Sequence, residues 1–207
     1  MAVTKAPLFG LDASGTLGGS IVFSKWKGRT YVRRHAVPAN PKSGLQVGMR
    51  AGFKFVSETY SGLSDAIKAR WKLIGEKTQT TPLNAQMKLS QENIRIGKGC
   101  VKDPDAIAGT TPTAPATLLA TALPKSLLLT WAHPVTTPGD YSTMIWMSKT
   151  GTFTRSTANL IAVIPQSLLT YTVRGLVTGQ AYFFEVAETN TDGEVGASSA
   201  EFSGTPT

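Results

Sequence analysis

Apolar and charged residues alternate along Ser20–His35, which reads SIVFSKWKGRTYVRRH. A period of two is typical of β-strands with two different faces. Lys27-Gly28 lies in the middle of this segment, and its glycine supplies the positive φ that a two-residue hairpin turn requires. The pattern therefore predicts two strands around this turn. Because an isolated hairpin is only marginally stable in water, we expect it to pack on the helices that follow or on another chain.

Three apolar stripes at helical spacing follow the hairpin and predict three short helices. The stripes are Leu45, Met49, Phe53, Val56 and Tyr60, then Ile67, Trp71 and Ile74, then Leu83, Met87 and Ile94. Ser43, Ser64 and Thr81-Pro82 are suitable helix starts, and Gly62, Gly75 and Gly97 are the predicted ends. Gly48 and Gly52 lower the intrinsic helicity of the first helix, each by up to about 1 kcal/mol. The Gly- and Ser-rich residues 1–19 predict an extended arm or loop.

Short strands separated by turn residues dominate the second half, a pattern typical of a β-sandwich. The predicted strands are Ala116–Ala122, Ser126–His133, Tyr141–Lys149, Asn159–Ile164, Leu168–Val173, Gln180–Thr189 and Ser198–Gly204. Asp103–Pro115, rich in Pro, Thr and Ala, predicts a linker. We therefore expect an N-terminal α+β domain over residues 1–102, a linker over 103–115 and an all-β domain over 116–207.

Composition adds a charge asymmetry to this division. The chain of 207 residues has a formal net charge of +8 and one cysteine, Cys100. Residues 1–110 carry 17 Lys and Arg against 7 Asp and Glu, whereas residues 111–207 carry 4 against 6. The basic half is suited to a polyanion or an acidic protein surface. A single cysteine excludes an intramolecular disulfide framework, and no apolar run reaches the roughly 18 residues of a membrane helix.

The second half resembles a fibronectin type III domain. Two motifs carry the resemblance, Leu127–Trp131 (LLLTW) and Leu176–Val186 (LVTGQAYFFEV), and they occur in the order found in that family. The resemblance implies an immunoglobulin-like sandwich of seven strands with Trp131, Leu176 and Tyr182 in its core, where Tyr182 would tie a loop to the sandwich. It implies no activity, because this fold is a general presentation module.

The first half is similar to a group of small phage and prophage proteins. The similarity rests on Gly18–Gly28, Tyr31–Arg33, Asn40-Pro41, Gln46, Arg50, Phe53, Leu63–Asp65 and Trp71. It implies a virion structural protein, made in the cytoplasm of a host bacterium, that decorates the capsid or belongs to the head, neck or tail. The partners it implies are capsid, portal, neck or tail proteins, with many copies or a homo-oligomer on each particle. The N-terminal domain, residues 1–102, would then dock on the particle, and the sandwich would be displayed outward, where weak adsorption to host-surface glycans is one role.

Candidate catalytic and metal-binding residues are few. His35 and His133 each lack a second His or a Cys at metal-ligand spacing. Cys100 has no obvious His partner, which a catalytic cysteine needs. No calcium or phosphate-binding motif is complete. We therefore expect a protein that is not an enzyme and needs no cofactor or metal.

The hairpin holds the candidate interface residues Lys25, Trp26, Lys27, Arg29, Tyr31, Arg33 and Arg34. Aromatic residues and arginines dominate protein–protein hot spots, and an exposed strand edge can pair with a neighbouring sheet. The same cations and rings could instead bind phosphates and stack on exposed bases of a nucleic acid. A plain solvated surface is the third interpretation. Salt separates the first two, because phosphate binding weakens steeply with ionic strength.

Overall fold

The structure, a computed structural model, describes residues 2–3, 14–26, 29–37, 39–106, 111–133 and 140–207. It divides into two compact units, Met1–Pro41 and Lys42–Thr207. This boundary differs from the sequence-based division, which placed it in the segment 103–115. The reason lies in how the helices pack, as shown below.

The first unit is a four-stranded antiparallel sheet with the order β1-β4-β3-β2. Its strands are β1 (Ala2–Val3), β2 (Gly15–Leu17), β3 (Ile21–Trp26) and β4 (Arg29–Arg34). The hairpin strands β3 and β4 are present as predicted, and Lys27-Gly28 lies outside the described residues. Strands β1 and β2 come from the segment that the sequence predicted as an arm. Gly18, Gly19 and Ser20 join β2 to β3. Gly18 and Gly19 have φ of 55° and 66°, positive values that glycine adopts without steric cost.

The second unit begins with three helices, α1 (Gly44–Thr59), α2 (Asp65–Thr78) and α3 (Pro82–Arg95), with a short 3-10 turn over Tyr60–Gly62. Only α3 has a side-chain cap, because the Thr81 hydroxyl accepts a hydrogen bond from the Asn84 N–H at 3.2 Å. Helix α2 runs past the predicted stop at Gly75 and ends at Thr78, where Gln79, with a φ of 53°, is the C-cap. Gly75 is buried inside the helix, where an added Cβ would lie 2.8 Å from the Thr80 carbonyl oxygen.

Eight strands follow and form two antiparallel sheets. They are β5 (Ala116–Leu123), β6 (Ser126–Ala132), β7 (Asp140–Ser148), β8 (Leu160–Pro165), β9 (Thr170–Arg174), β10 (Tyr182–Asn190), β11 (Val195–Ser198) and β12 (Phe202–Gly204). The smaller sheet has the order β5-β6-β9, and the larger has the order β11-β10-β7-β8, with β12 also paired to β10. The last predicted strand, Ser198–Gly204, is observed as the shorter β12, and β11 is a strand that the sequence did not predict. Helices with antiparallel sheets are the architecture that the sequence predicted.

The two sheets pack face to face around one apolar core. The smaller sheet contributes Leu127, Leu129, Trp131 and Val173, and the larger contributes Ile145, Ala162, Ile164, Tyr182, Phe184 and Val186. Residues two apart on each strand share this face, as the strand period requires. This shared interior makes residues 116–207 a β-sandwich in architecture.

The helices cover the opposite face of the larger sheet and share a second core with it. This core joins Phe55, Val56, Met87, Ile94 and Cys100 from the helical segment to Met144, Trp146, Leu160, Val163 and Ala187 from the strands. Strands β7, β8 and β10 are therefore buried on both faces, and Lys42–Thr207 forms three layers. The helices belong with the sandwich, which is why the unit boundary lies at Pro41 and not at the segment 103–115.

Helix α1 approaches the segment before β8 and helix α3 through its glycines. An added Cβ would lie 2.1 Å from the Ala158 carbonyl oxygen at Gly44, 2.2 Å from the Thr157 carbonyl oxygen at Gly48, and 2.0 Å from the Ile94 Cδ1 at Gly52. The predicted inner stripe of this helix is therefore wrong in part. Val56 is buried, but Leu45 is 60% exposed and Phe53 is 56% exposed, because the glycine face turns these side chains toward solvent.

The predicted linker packs against its surroundings where the structure describes it. The Lys102 and Asp103 N–H groups donate to the Thr191 carbonyl oxygen at 2.9 and 3.3 Å. The Trp71 indole N–H donates to the Lys102 carbonyl oxygen at 2.9 Å, and Arg70 pairs with Asp103. Pro112 and Pro115 are buried. Proline-rich composition therefore does not produce a free tether over these residues.

Candidate interaction surface

The register of β3 with β4 sorts the hairpin residues onto two faces. Directly paired residues of an antiparallel ladder share a face. The pairs Ile21↔Arg34, Phe23↔Val32 and Lys25↔Thr30 lie on one face, and Val22↔Arg33, Ser24↔Tyr31 and Trp26↔Arg29 lie on the other. Leu17, paired with Ile21, joins the first. We call the first set the apolar face and the second the Tyr31 face.

The described side chains of the apolar face are partly or largely exposed. Leu17 is 59% exposed and Ile21 is 39% exposed, while Phe23 and Val32 are half-buried. Among the side chains of Met1–Pro41 that the structure describes, none that is hydrophobic is buried, and Thr30, at 9% exposure, is the most enclosed. A sheet gains stability mainly by burying one face. This sheet therefore has little internal stabilisation and presents an apolar surface.

Two arginines share the Tyr31 face with the ring of Tyr31. Arg29 and Arg33 are exposed, and they lie two residues on either side of Tyr31 on the same strand. Residues two apart on a strand project on the same side. The arrangement places two cations beside one half-buried ring, which suits either an acidic protein surface or a phosphate backbone.

The other predicted interface residues have different positions. Arg34 is exposed and lies on the apolar face, at the end of β4. Lys25 is also exposed and lies on that face, where it interacts with a neighbouring group. Trp26 is the last residue of β3, but its side chain and all of Lys27 lie outside the described residues. The structure thus divides the predicted cluster between two faces instead of gathering it on one.

The sequence signal for β2 was present but was not used. A loop of a few residues that contains glycine between two β-prone stretches is typical of a hairpin. Gly18, Gly19 and Ser20 form such a three-residue loop, in which the Ser20 N–H donates to the Leu17 carbonyl oxygen at 3.1 Å. The short strand β2 carries Leu17 onto the apolar face. Recognising that turn would have enlarged the predicted surface from a hairpin to a sheet.

The predicted core residues of the sandwich are all buried. Trp131 is 4% exposed, Leu176 is 7% exposed and Tyr182 is 2% exposed, and they belong to one core. The Val177 N–H donates to the Tyr182 hydroxyl at 3.1 Å. This bond ties the loop before β10 to the sandwich interior.

The candidate chemical groups are enclosed or isolated. Cys100 is fully buried, and burial raises the pKa of its thiol to about 12, so it is protonated at neutral pH. The His133 ring lies between the buried Glu188 carboxylate, which contacts Nδ1, and the Gln166 carbonyl oxygen, 2.9 Å from Nε2. His35 is exposed. Among the residues that the structure describes, no three His, Cys, Asp or Glu side chains group as metal ligands.

The helices of the described chain are also unsuited to a bilayer. None of them combines the length with the apolar character needed to cross a membrane.

Comparisons with known proteins give distant structural likenesses. No family model matches the chain, and no curated protein matches it. A β-1,2-glucanase from Parabacteroides distasonis is 18% identical with a TM-score of 0.42, over 50% of this chain and 14% of that one. The FN1-FN3 domains of chicken CNTN1 are 16% identical with a TM-score of 0.39, over 46% and 32%. A structure titled "Myokine structure" is 16% identical with a TM-score of 0.36, over 47% and 100%.

These likenesses assign no function. The chain spans only 14% and 32% of the first two proteins, and every TM-score lies below 0.5.

Proposed function

We propose that this chain is a non-enzymatic structural protein of a phage virion, which docks through its N-terminal sheet and displays a fibronectin type III-like body. The observation that carries the proposal is the solvent exposure of the described side chains on the apolar face of the first unit. A sheet whose described side chains include no buried hydrophobic one gains stability when a partner covers it. The partners are other virion proteins, of the capsid, neck or tail, or further copies of the chain. The localisation is accordingly the virion, after synthesis in a bacterial cytoplasm.

Docking involves the unit Met1–Pro41 in this proposal, and the helices belong to the displayed body. The sequence had assigned all of residues 1–102 to docking. The helices instead have a partner within the chain, because Phe55, Val56 and Ile94 pack on the larger sheet. Repetition on a symmetric particle would make weak individual contacts effective through avidity.

The fibronectin type III assignment of the displayed body is supported by two features. Three strands face a larger sheet in one sandwich. The Tyr182 hydroxyl accepts a hydrogen bond from a backbone N–H five residues upstream, as in the tyrosine corner of immunoglobulin-like domains. Such a body adds mass to a particle surface, and weak adsorption to host-surface glycans would be a secondary role.

The docking proposal is tested with particles purified from the source of the chain. We expect mass spectrometry to detect the protein in many copies per particle. Phe23→Asp places a charge on the apolar face and should abolish incorporation. Leu73→Asp, a matched change at a residue 60% exposed on α2, should incorporate normally. Absence of the protein from the particles, or normal incorporation of Phe23→Asp, would refute docking through this face.

Nucleic-acid binding by the Tyr31 face is the alternative function. Arg29 and Arg33 flank Tyr31 on one side of a strand, which supports contacts to phosphates with a base stacked on the ring. A gel-shift titration of the full chain with duplex and single-stranded DNA at two salt concentrations tests it. If the alternative holds, binding weakens steeply with salt, and the Arg29→Gln/Arg33→Gln double variant loses it. No shift at low salt would eliminate this function.

A further inference from the structure

A cleft of about 390 Å³ opens on the side of the sandwich where both sheets end. Strand β8 is the last strand of the larger sheet, and β9 is the last strand of the smaller one. Ile161 of β8 lines the cleft on one side, and Tyr171 and Val173 of β9 line the other. The volume is within the range of about 300–1,000 Å³ that is usual for small-molecule sites.

The interior of the cleft is apolar and combines side chains of the sandwich core with Val47 of α1. Leu176 and Tyr182 line it, and both are buried. Met147 adds a flexible apolar side chain, and Val177, which is 62% exposed, stands at the edge. The Tyr182 hydroxyl is already bonded to the Val177 N–H. The wall can therefore make many van der Waals contacts with the apolar part of a ligand, and the Tyr182 hydroxyl does not need a hydrogen bond from that ligand.

Two cations line the same cleft. Lys149 follows the end of β7, and Arg174 is the last residue of β9; both are exposed. The described residues provide neither of them with an ion-pair partner. Residues 111–207 contain only four Lys and Arg, so half of the cations of this net-negative half line one cleft. Among the acidic side chains of this half that the structure describes, none lines it.

The cleft also contains a hydrogen-bond donor. The Tyr171 phenol lines the cleft, and no hydrogen bond engages it within the described chain. Burial raises the pKa of this phenol, so it stays protonated at neutral pH and can donate to an anionic oxygen.

We propose that this cleft binds an amphiphilic organic anion, with its acidic group between Lys149 and Arg174 and its apolar body against the open edge of the sandwich. A carboxylate, sulfonate or phosphate would satisfy both cations. An apolar body would cover core side chains that face the opening between the unpaired edges of β8 and β9. The site lies in the body Lys42–Thr207 and does not depend on docking through the N-terminal sheet.

The test is a fluorescence titration of the full chain with 1-anilinonaphthalene-8-sulfonate, which combines a sulfonate with aromatic rings. We expect saturable binding. Lys149→Gln and Arg174→Gln should each weaken it about two- to fivefold, the effect of losing one exposed ionic contact, and the double variant by about tenfold. Val177→Asp adds a negative charge at the edge and should weaken binding by at least as much as the double variant.

Matched variants and competitors separate this site from other surfaces. Lys88→Gln removes an exposed cation on α3, and Leu73→Asp adds an acid on α2; both should bind the probe like the native chain. Octanoate should displace the probe at lower concentration than 1-octanol, because only octanoate carries the acidic group. Unchanged affinity in the double variant, an equal loss in Lys88→Gln, or equal displacement by the two competitors would overturn the proposal.

Discussion

Replacing Gly48 by alanine tests how closely α1 approaches the strands. An added Cβ would lie 2.2 Å from the Thr157 carbonyl oxygen and 3.3 Å from the Leu160 Cβ. The oxygen belongs to the backbone, so relief requires the helix or the segment before β8 to move by more than about 1 Å. Overpacking of this kind typically costs about 1–3 kcal/mol, and more when backbone must shift.

Helix propensity acts in the opposite direction on the same substitution. Alanine favours a helix over glycine by about 1 kcal/mol, so sequence-based reasoning predicts a gain in stability. Because the clash is with a fixed carbonyl, we expect its cost to lie at the upper end of that range, about 2–3 kcal/mol. After subtraction of the propensity gain, the free energy of unfolding should fall by about 1–2 kcal/mol. For a unit of this size, the melting temperature should fall by about 2–8 °C.

Urea denaturation followed by tryptophan fluorescence measures the change, since Trp71 and Trp146 are buried in the layers concerned. Gly62→Ala is the matched control, because an added Cβ there meets nothing within 4 Å. Gly52→Ala should cost less than Gly48→Ala, since its obstacle is the mobile end of the Ile94 side chain. A Gly48→Ala variant as stable as the native chain, or more stable, would show that α1 does not pack through its glycines.

Three further predictions address the layers, the thiol and the sandwich loop. Residues 42–207 alone should have a melting temperature within a few degrees of that of the full chain. Residues 116–207 alone should be strongly destabilised, because removal of the helices exposes the outer face of the larger sheet. Thermal melts followed by circular dichroism measure both effects. Cys100 should resist Ellman's reagent at pH 8 and react fully in urea, since burial raises its pKa to about 12; rapid labelling of the native chain would contradict its burial. Tyr182→Phe should cost about 1 kcal/mol in urea unfolding, the value of one hydrogen bond, whereas Tyr171→Phe should be neutral.

The sandwich could be predicted from the sequence because strand alternation and turn residues are local signals. The predicted strands from Ala116 to Gly204 begin and end within a few residues of their observed bounds, and β11 is the strand that was not predicted. Trp131 and Tyr182 were placed in the core by the family resemblance, and both are buried. Burial of this kind follows from side-chain type and period.

The packing of the helices was not predicted, because hydrophobic periodicity is identified from apolar side chains and glycine has no side chain. The apolar stripe of α1 suggested Leu45 and Phe53 as inner residues, but the helix turns Gly48 and Gly52 inward. A signal for the extra layer did exist in the run Met144–Met147 (MIWM). Continuous apolar residues in a strand indicate burial on both faces, and this run is covered by the sandwich on one side and by the helices on the other.

The candidate interface was only partly predictable. The composition of the hairpin identified a cationic and aromatic segment, but the assignment of each residue to a face depends on the register with its partner strand. Phe23, which was not among the predicted interface residues, lies on the apolar face, whereas Arg33, which was, lies on the Tyr31 face. The cleft exists because β8 and β9 are edge strands of the two sheets. Strand order is a property of the topology and cannot be predicted from local sequence patterns.

The larger sheet, which lies between the helices and the smaller sheet, is synthesised after the helices that it covers. The helices leave the ribosome first, but the strands that cover Phe55 and Ile94 extend to residue 190. At translation rates of about 5–20 residues per second, the helical segment waits on the order of 5–20 s for its cover. During that interval the apolar face of the helices is exposed to chaperones and to neighbouring nascent chains. The yield of folded protein in a cell should therefore depend on which of these binds that face before β10 emerges.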